Sequence, residues 1–240
     1  MAIDFPGVDE YISVADSATI DVTGDFTACG FVKFDALPAS GTLIDPIGRY
    51  ETGGGLGGFE LRLYNDAGTQ KVQAVYRTSA STPVASWTAT LNTRQWYHMA
   101  IVEDGTNLIL YTDGANRAST ARTGAGLVAS AIFLGIGCLS LDGAPTRYLN
   151  GQMEDVRLYN RGLVPQEVAI LASGYRGPLG GEVGWWAMDG AQAITHFDAA
   201  NLTVNVNYIP DMSGNANTGN PTGTPIGAAS SCPRMGGITD

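Results

Sequence analysis

The sequence predicts an all-β fold, an antiparallel two-sheet sandwich of jelly-roll type with one short helix. Three observations carry this. Short stretches of alternating polarity recur along the chain, turn residues separate them, and helical periodicity is confined to one segment. The composition agrees: 240 residues with 32 glycines, 44% hydrophobic residues and 15% charged residues hold enough apolar material for a sizeable core and the turn chemistry of many short strands.

The elements follow in order. Residues 28–34, 59–64, 72–76, 96–102, 108–111, 132–136 and 153–159 each read as a strand. Asn65-Asp66-Ala67-Gly68, Glu103-Asp104-Gly105 and Asp113-Gly114 separate them as turns. Residues 163–171 carry Pro165 early, apolar residues at i, i+3 and i+4, and Ser173-Gly174 as a stop, which predicts a helix of one or two turns. From about residue 175 the texture changes to a Trp185-Trp186 pair, a polar loop and a Gly/Pro/Ser/Thr-rich tail. The predicted organisation is a core over 1–175 and a C-terminal segment, 176–240, that completes the same sandwich. Adjacent residues on a strand face opposite ways, so one tryptophan of the pair is expected inside and the other outside.

Charge narrows the partners. A net charge of −10, with Lys33 and Lys71 as the only lysines, repels nucleic acid and anionic membrane surfaces. Cys29, Cys138 and Cys232 are too few and too far apart for a disulfide framework or a zinc knuckle. The first two sit in apolar runs as small core residues. Met1 leads straight into the first strand without a basic start or an apolar leader, so synthesis without a signal peptide is expected, and no stretch is long enough to cross a bilayer.

Several segments together resemble a known family. Ile3-Asp4-Phe5-Pro6-Gly7-Val8-Asp9-Glu10-Tyr11-Ile12-Ser13-Val14 is similar to the F-D-G-x-D-D-Y-V-x-V opening of laminin-G-like, concanavalin-A-like jelly rolls. The strand from Phe26 to Phe34 resembles their F-T-I-S-A-W-V-K strand, with Cys29-Gly30-Phe31 where Ser-Ala-Trp is usual. Trp96-Tyr97-His98-Met99-Ala100 followed by Leu110-Tyr111-Thr112-Asp113-Gly114 resembles the W-H-H-V-A and L-Y-V-D-G pair. Asn150-Gly151-Gln152-Met153-Glu154-Asp155-Val156-Arg157-Leu158-Tyr159-Asn160-Arg161 is similar to F-x-G-x-I-D-D-V-R-I-Y-N-R. Family members usually begin with a G-L-V-A-Y-W-x-M-D strand and a D-x-S-G-N-G-N loop. Here Val183-Gly184-Trp185-Trp186-Ala187-Met188-Asp189 and Asp211-Met212-Ser213-Gly214-Asn215-Ala216-Asn217 carry these features near the other end. The first strand of the fold is therefore expected from the C-terminal segment, folded back into the same sandwich or, as the alternative, donated to a neighbouring copy. Phe5, Tyr11, Phe26, Phe31, Trp96 and Tyr159 are expected between the sheets.

Candidate chemistry is sparse. Retaining glycoside hydrolysis needs two carboxyls about 5–5.5 Å apart. The E-x-D-x-x-E strand of laminarinase-type members is missing, and adjacent Glu154 and Asp155 are expected on opposite faces. His98 reads as a satisfied structural histidine. No catalytic residue is assigned, and the chain is expected not to be an enzyme. Calcium is the one candidate cofactor: Asp211 and Asn215, with Ser213 and Asn217, place oxygens at alternate positions around Gly214, and Asp142 lies where the resemblance to pentraxins implies a calcium site. The competing reading of both places is Asx and Gly turns. Tyr50, Tyr64, Tyr76, Trp87 and Tyr148 are candidate glycan-contacting aromatics.

The resemblance implies a non-enzymatic recognition or assembly module. Its stand-alone versions resemble decoration, cement or fibre proteins of tailed bacteriophages, located on the virion surface and contacting other virion proteins, copies of themselves or cell-surface glycans. A calcium-dependent carbohydrate-binding module, cellular or extracellular, is the alternative.

Overall fold

In the computed structural model of the chain, the described residues are 2–53, 57–78, 80–124, 126–188, 194–198, 203–206, 209–223 and 228–229. The tail from 230 onward, with Cys232, lies outside them. In chain order the strands are β1 (Ala2–Pro6), β2 (Tyr11–Val14), β3 (Phe26–Phe34), β4 (Leu43–Tyr50), β5 (Gly58–Asp66), β6 (Thr69–Arg77), β7 (Val84–Thr88), β8 (Trp96–Glu103), β9 (Asn107–Thr112) and β10 (Ala115–Ala121). They continue with β11 (Leu134–Ile136), β12 (Leu139–Leu141), β13 (Ala144–Thr146) and β14 (Asn150–Tyr159). Helix α1 (Pro165–Ala172) follows, then β15 (Glu182–Trp186), β16 (Ile194–Asp198), β17 (Thr203–Val206), β18 (Gly219–Thr222) and β19 (Ala228–Ala229).

Two sheets form the sandwich. Sheet A runs β10-β9-β8-β3-β14-β1-β19, with β15 also on β14; sheet B runs β18-β2-β11-β4-β5-β6-β7, with the β12–β13 hairpin alongside β4. Between them lies one core, in which Phe26 meets Phe59 and Tyr76 at centroid distances of 4.8 and 6.3 Å.

Strand parity decides which aromatics enter that core. In β3, Phe26, Ala28, Val32 and Phe34 point inward, so Cys29 and Phe31 point outward. Phe5 and Phe26 therefore lie inside as expected, whereas Phe31 packs edge-on against His98 and Tyr159 joins a second cluster on the far side of sheet A. Tyr11 and Trp96, also expected between the sheets, are half-buried on outer faces. The second cluster, Cys29, Ala100, Val102, Tyr111 and Tyr159 with Leu163, Val168 and Leu171, is the seat of α1. Pro165 opens the helix, Glu167 accepts the Val164 N–H and holds Arg161 through both carboxylate oxygens, and Gly174 at φ +91° ends it.

The C-terminal segment closes the same sandwich. β1 pairs with the first half of β14, through Met153, and β15 pairs with the second half, from Val156. The change of partner falls at Asp155, a left-handed residue at φ +53° that donates its N–H to Ala187 O. Asp155 and Val156 together oppose Gly30 on β3, which forms a bulge; a Cβ at position 30 would stand 3.0 Å from Val156 Cγ2. The bulge turns both Glu154 and Asp155 to the outer side, where both meet Arg176, at 2.5 and 3.7 Å. Expectation placed them on opposite faces, but simple alternation fails across a bulge.

Asp155 then organises the segment. Its carboxylate accepts two bonds from Arg157, at 3.1 and 3.0 Å, and one from Trp185 Nε1 at 2.6 Å. Arg157 lies 4.0 Å from the Trp185 ring and donates to Tyr175 O and Gly177 O. Trp186 enters the main core, fully buried, and donates to Asn217 O. Both tryptophans are thus buried: the outward one is roofed by the return from α1 rather than exposed.

Asp155→Ala is expected to cost about 3–5 kcal/mol in urea denaturation, because it strands a buried guanidinium. Asp155→Asn, which tolerates the left-handed conformation, should cost less. An alanine variant as stable as the native chain would show that this network does not fasten the segment.

Candidate functional site

Helix α1 and the return through residues 173–181 roof part of the outer face of sheet A. The outer face of sheet B carries a different surface. β5 alternates Phe59, Leu61 and Leu63 into the core, so Glu60 and Arg62 point out; by the same parity Gln73 and Arg77 point out from β6. β4 reaches the same face through a bulge: Asp45 and Pro46 together oppose Arg62. Proline cannot donate to the ladder and suits such a place. The β12–β13 hairpin and the segment around it satisfy the bulge, since Arg147 O accepts the Asp45 N–H and Gly137 N–H donates to Pro46 O.

These strands bring three guanidiniums onto one carboxylate. Glu60 accepts Arg77 Nε at 2.6 Å, Arg147 Nη1 at 2.9 Å and Arg62 Nη1 at 3.0 Å. Arg62 is also held by Gln73, which in turn donates to Ser86. Arg147 lies 3.4 Å from Asp45 Oδ2 as well, while Asp45 Oδ1 is buried without a hydrogen-bond partner. Both carboxylate side chains are fully buried; the arginines retain 14% (Arg62), 22% (Arg77) and 26% (Arg147) exposure. Burial raises the Asp45 carboxyl to about 8, with the Glu60 charge adding and Arg147 opposing. Burial acts on Glu60 in the same direction, but Arg77, Arg62 and Arg147 outweigh it and hold that carboxyl below its ordinary value.

Aromatic rings flank the cluster. Arg77 stands over the Tyr50 ring at 4.6 Å. On the other side, Tyr11 stacks on Phe133 at 5.6 Å and meets Tyr148, the neighbour of Arg147, at 6.3 Å. All four rings are half-buried. Half-exposed rings beside fixed hydrogen-bonding groups are what a saccharide needs, since its C–H faces stack and its hydroxyls bond. Of the aromatics singled out from sequence, Tyr50 and Tyr148 belong to this face and Tyr64 shares the strand parity of Glu60. Tyr76 is in the core, and Trp87 packs against the core edge beneath Arg117.

Both places singled out for calcium lie in turns. Asp142, at φ +50°, makes the β12–β13 turn with Gly143; its carboxylate accepts both the N–H and the hydroxyl of Thr52, at 2.6 Å each, which holds its pKa below the ordinary value. Asp211 accepts the Trp185 and Ser213 N–H groups on one oxygen and the Ser213 hydroxyl and Asn217 N–H on the other. Asn215 donates to Glu182 O and Ser213 Oγ. Four donors thus engage the two Asp211 oxygens. Among the described residues no group of three or more His, Cys, Asp or Glu is placed to hold a metal.

Two acid pairs share a face after all, Glu154 with Asp155 and Asp45 with Glu60. In each, arginines cover buried carboxylates. His98 is buried with Nδ1 unpartnered, and burial lowers its pKa to about 3, which keeps the ring neutral; it is structural but not fully satisfied. Cys29 and Cys138 are buried and free, as expected.

The family model of the concanavalin A-like lectin/glucanases superfamily matches residues 6–169. The chain belongs to this superfamily. Among solved structures, this superfamily member is similar to a candidate carbohydrate-binding protein from Bacteroides ovatus, with TM-score 0.68 and 18% identity over 96% of this chain and 60% of that one. It therefore spans under two thirds of that protein. A heptameric pentraxin from Limulus polyphemus matches with TM-score 0.56 and 16% identity over 71% of this chain and 81% of that one. A sialidase CBM40 from Ruminococcus gnavus, bound to α2,3-sialyllactose, matches with TM-score 0.56 and 13% identity over 72% and 98%. At these identities the likeness is one of fold. Comparison with curated proteins finds no match.

Asp45 sets a pH dependence. Its proton is kept in the folded chain to about pH 8 and lost near 3.8 in the unfolded one. The folded state binds the extra proton between these values, so this contribution is full below the lower one and is lost as pH rises toward the upper. Melting temperature should fall from pH 5 to pH 8, and Asp45→Asn should flatten the fall; an unchanged slope would count against a protonated Asp45. Calcium or a chelator is expected to leave the melting temperature unmoved. A rise with calcium that Asp211→Ala abolishes would restore the metal reading.

Proposed function

We propose that this protein is a non-enzymatic saccharide-recognition module that binds its ligand on the outer face of sheet B. The observation that carries this is the juxtaposition of the Tyr11–Phe133–Tyr148 rings with the Arg62, Arg77 and Arg147 guanidiniums on one face. Membership of a lectin-containing superfamily and fold neighbours described as carbohydrate-binding support it by analogy. Catalysis is disfavoured because both same-face acid pairs are buried under arginines, where a glycosidic oxygen does not reach a carboxyl.

We further propose that the module works as one copy among several on a larger particle, with the surface of a bacteriophage virion as the setting. A surface with two lysines and glycine, serine, threonine and asparagine in its loops packs against protein without stranding charges. Sheet A also ends on a mostly exposed polar strand, β10.

Tyr148→Ala is expected to weaken saccharide binding on a glycan array by at least about ten-fold, the loss of one stacking ring, with the melting temperature little changed. No reducing sugar should be released from any bound glycan. Binding unaffected by Tyr148→Ala would move the site elsewhere. Light scattering of the isolated chain and its copy number in the native particle test the assembly reading, and a monomer that co-purifies with no assembly would defeat it.

A further inference from the structure

Positive charge is concentrated on the outer face of sheet B in a chain whose net charge is −10. One arginine suffices to neutralise Glu60; three converge on it, from β5, β6 and the end of the β12–β13 hairpin. Glu60 is fully buried, so what this cluster presents outward is guanidinium. Asp45, the second carboxylate, shares Arg147 but leaves Oδ1 buried and unpartnered, an arrangement that costs less for a neutral carboxyl than for an ionised one.

We infer that the three arginines form an anion subsite that takes the carboxylate or sulfate group of an acidic saccharide, while the adjacent tyrosines stack on its rings. This rests on the outer face of sheet B being the saccharide site. Guanidinium forks pair with planar carboxylates and with sulfate oxygens by the same charge-assisted bonds. Gln73 and Tyr50 fix two of the three forks in place, so little side-chain freedom is lost on binding. The subsite is pH-sensitive. The groups facing Asp45 are Glu60 and Arg62 from β5, Arg147 from the hairpin and Cys138 from the β11–β12 turn, with Arg77 reaching it through Glu60. Ionisation of Asp45 toward pH 8 adds a second negative charge among them and weakens the hold on an anion.

The test uses the full chain and matched polymers: polygalacturonate against its methyl ester, and dextran sulfate against dextran, by calorimetry at two salt concentrations. One charged polymer is expected to bind at least about ten-fold tighter than its neutral counterpart, with affinity falling as salt rises and as pH passes 8. Which pair responds separates carboxylate from sulfate. The overall negative charge works against non-specific polyanion binding. Arg77→Gln and Arg147→Gln should each lose most of the preference and the lysine variants should keep part of it. Arg117→Gln, an exposed arginine over Trp87, should change nothing. Should the glutamine variants fail to fold, the salt dependence of the native chain decides. Equal binding of charged and neutral polymers overturns the anion subsite and leaves the saccharide face standing; binding of no polymer in the panel, together with a blank glycan array, removes both.

Discussion

The fold depends on one residue in an uncommon conformation. Asp155 at φ +53° breaks the long strand β14 into two halves, so that one edge accepts strands from opposite ends of the chain, β1 before the break and β15 after it. Asparagine and aspartate visit this region at lower cost than other side-chain-bearing residues. Aspartate brings a further property, since its carboxylate gathers Arg157 and Trp185 where the bulge has opened the ladder. The strain of the backbone and the burial of a charge are thus met by the same side chain. Gly30 on the facing strand supplies the room, with Val156 Cγ2 standing where a Cβ would need to be.

The two sheets treat buried charge in different ways. On sheet A, Glu154 and Asp155 are paired with Arg176 and Arg157, and the return from α1 caps Arg157 through its carbonyls at Tyr175 and Gly177. Arg157 is closed off there, 1% exposed, and works as a fastener, while Arg176 at the margin keeps 34% exposure. On sheet B, Glu60 lies just as deep, yet the three arginines above it have no roof of comparable kind and remain partly exposed. Desolvating ions without a full set of partners is expensive, and a buried pair alone is weak support for a fold. A closed cluster is explained by the chain it ties down. An open one, with more cations than its carboxylate needs, is explained better by a partner that arrives from solvent.

Much of the fold was legible in the sequence and little of the site was. Strands such as β3, β8 and β14 show as runs rich in apolar and aromatic residues because one side faces the main core and the other helps seat α1, and α1 shows because Pro165 and Gly174 mark its ends. β7 and β10 escaped because they are edge strands whose inward positions are few, Ala85 and Trp87 in β7 and Ala118 in β10, too few to set a pattern. β4 escaped because Asp45-Pro46 interrupts its alternation, although a proline inside an apolar run is itself a bulge signal. The same interruption hid the site. Asp45, Glu60, Arg77 and Arg147 come from four separate stretches, and only the cross-strand register brings them together. Glu60 and Arg62, two apart on one strand, were the one local trace of the cluster. Parity misled in one place: a residue in a bulge does not alternate, so Glu154 and Asp155 face the same way.

Asp211-Met212-Ser213-Gly214-Asn215-Ala216-Asn217 shows how one local pattern serves two physical ends. Oxygen-bearing side chains at alternate positions around a glycine can converge on a cation or on the backbone's own N–H groups. Here they converge on N–H groups: Asp211 takes four donors, and Asn217 bonds Thr19 and Val183 O while accepting from Ser17. The segment thereby joins β15 to the loop after β2, with Ser17 and Asn217 200 positions apart in sequence. A turn that spends the Asp211 oxygens in this way holds the returning chain against both sheets at once. The bulge at Asp155 opens the place for β15 in sheet A, and the Asp211 turn then directs the chain across to β18 at the edge of sheet B, beside β2 and the Tyr11 ring that borders the arginine cluster. The segment that completes the sandwich therefore also supports the rim of the face where recognition is proposed.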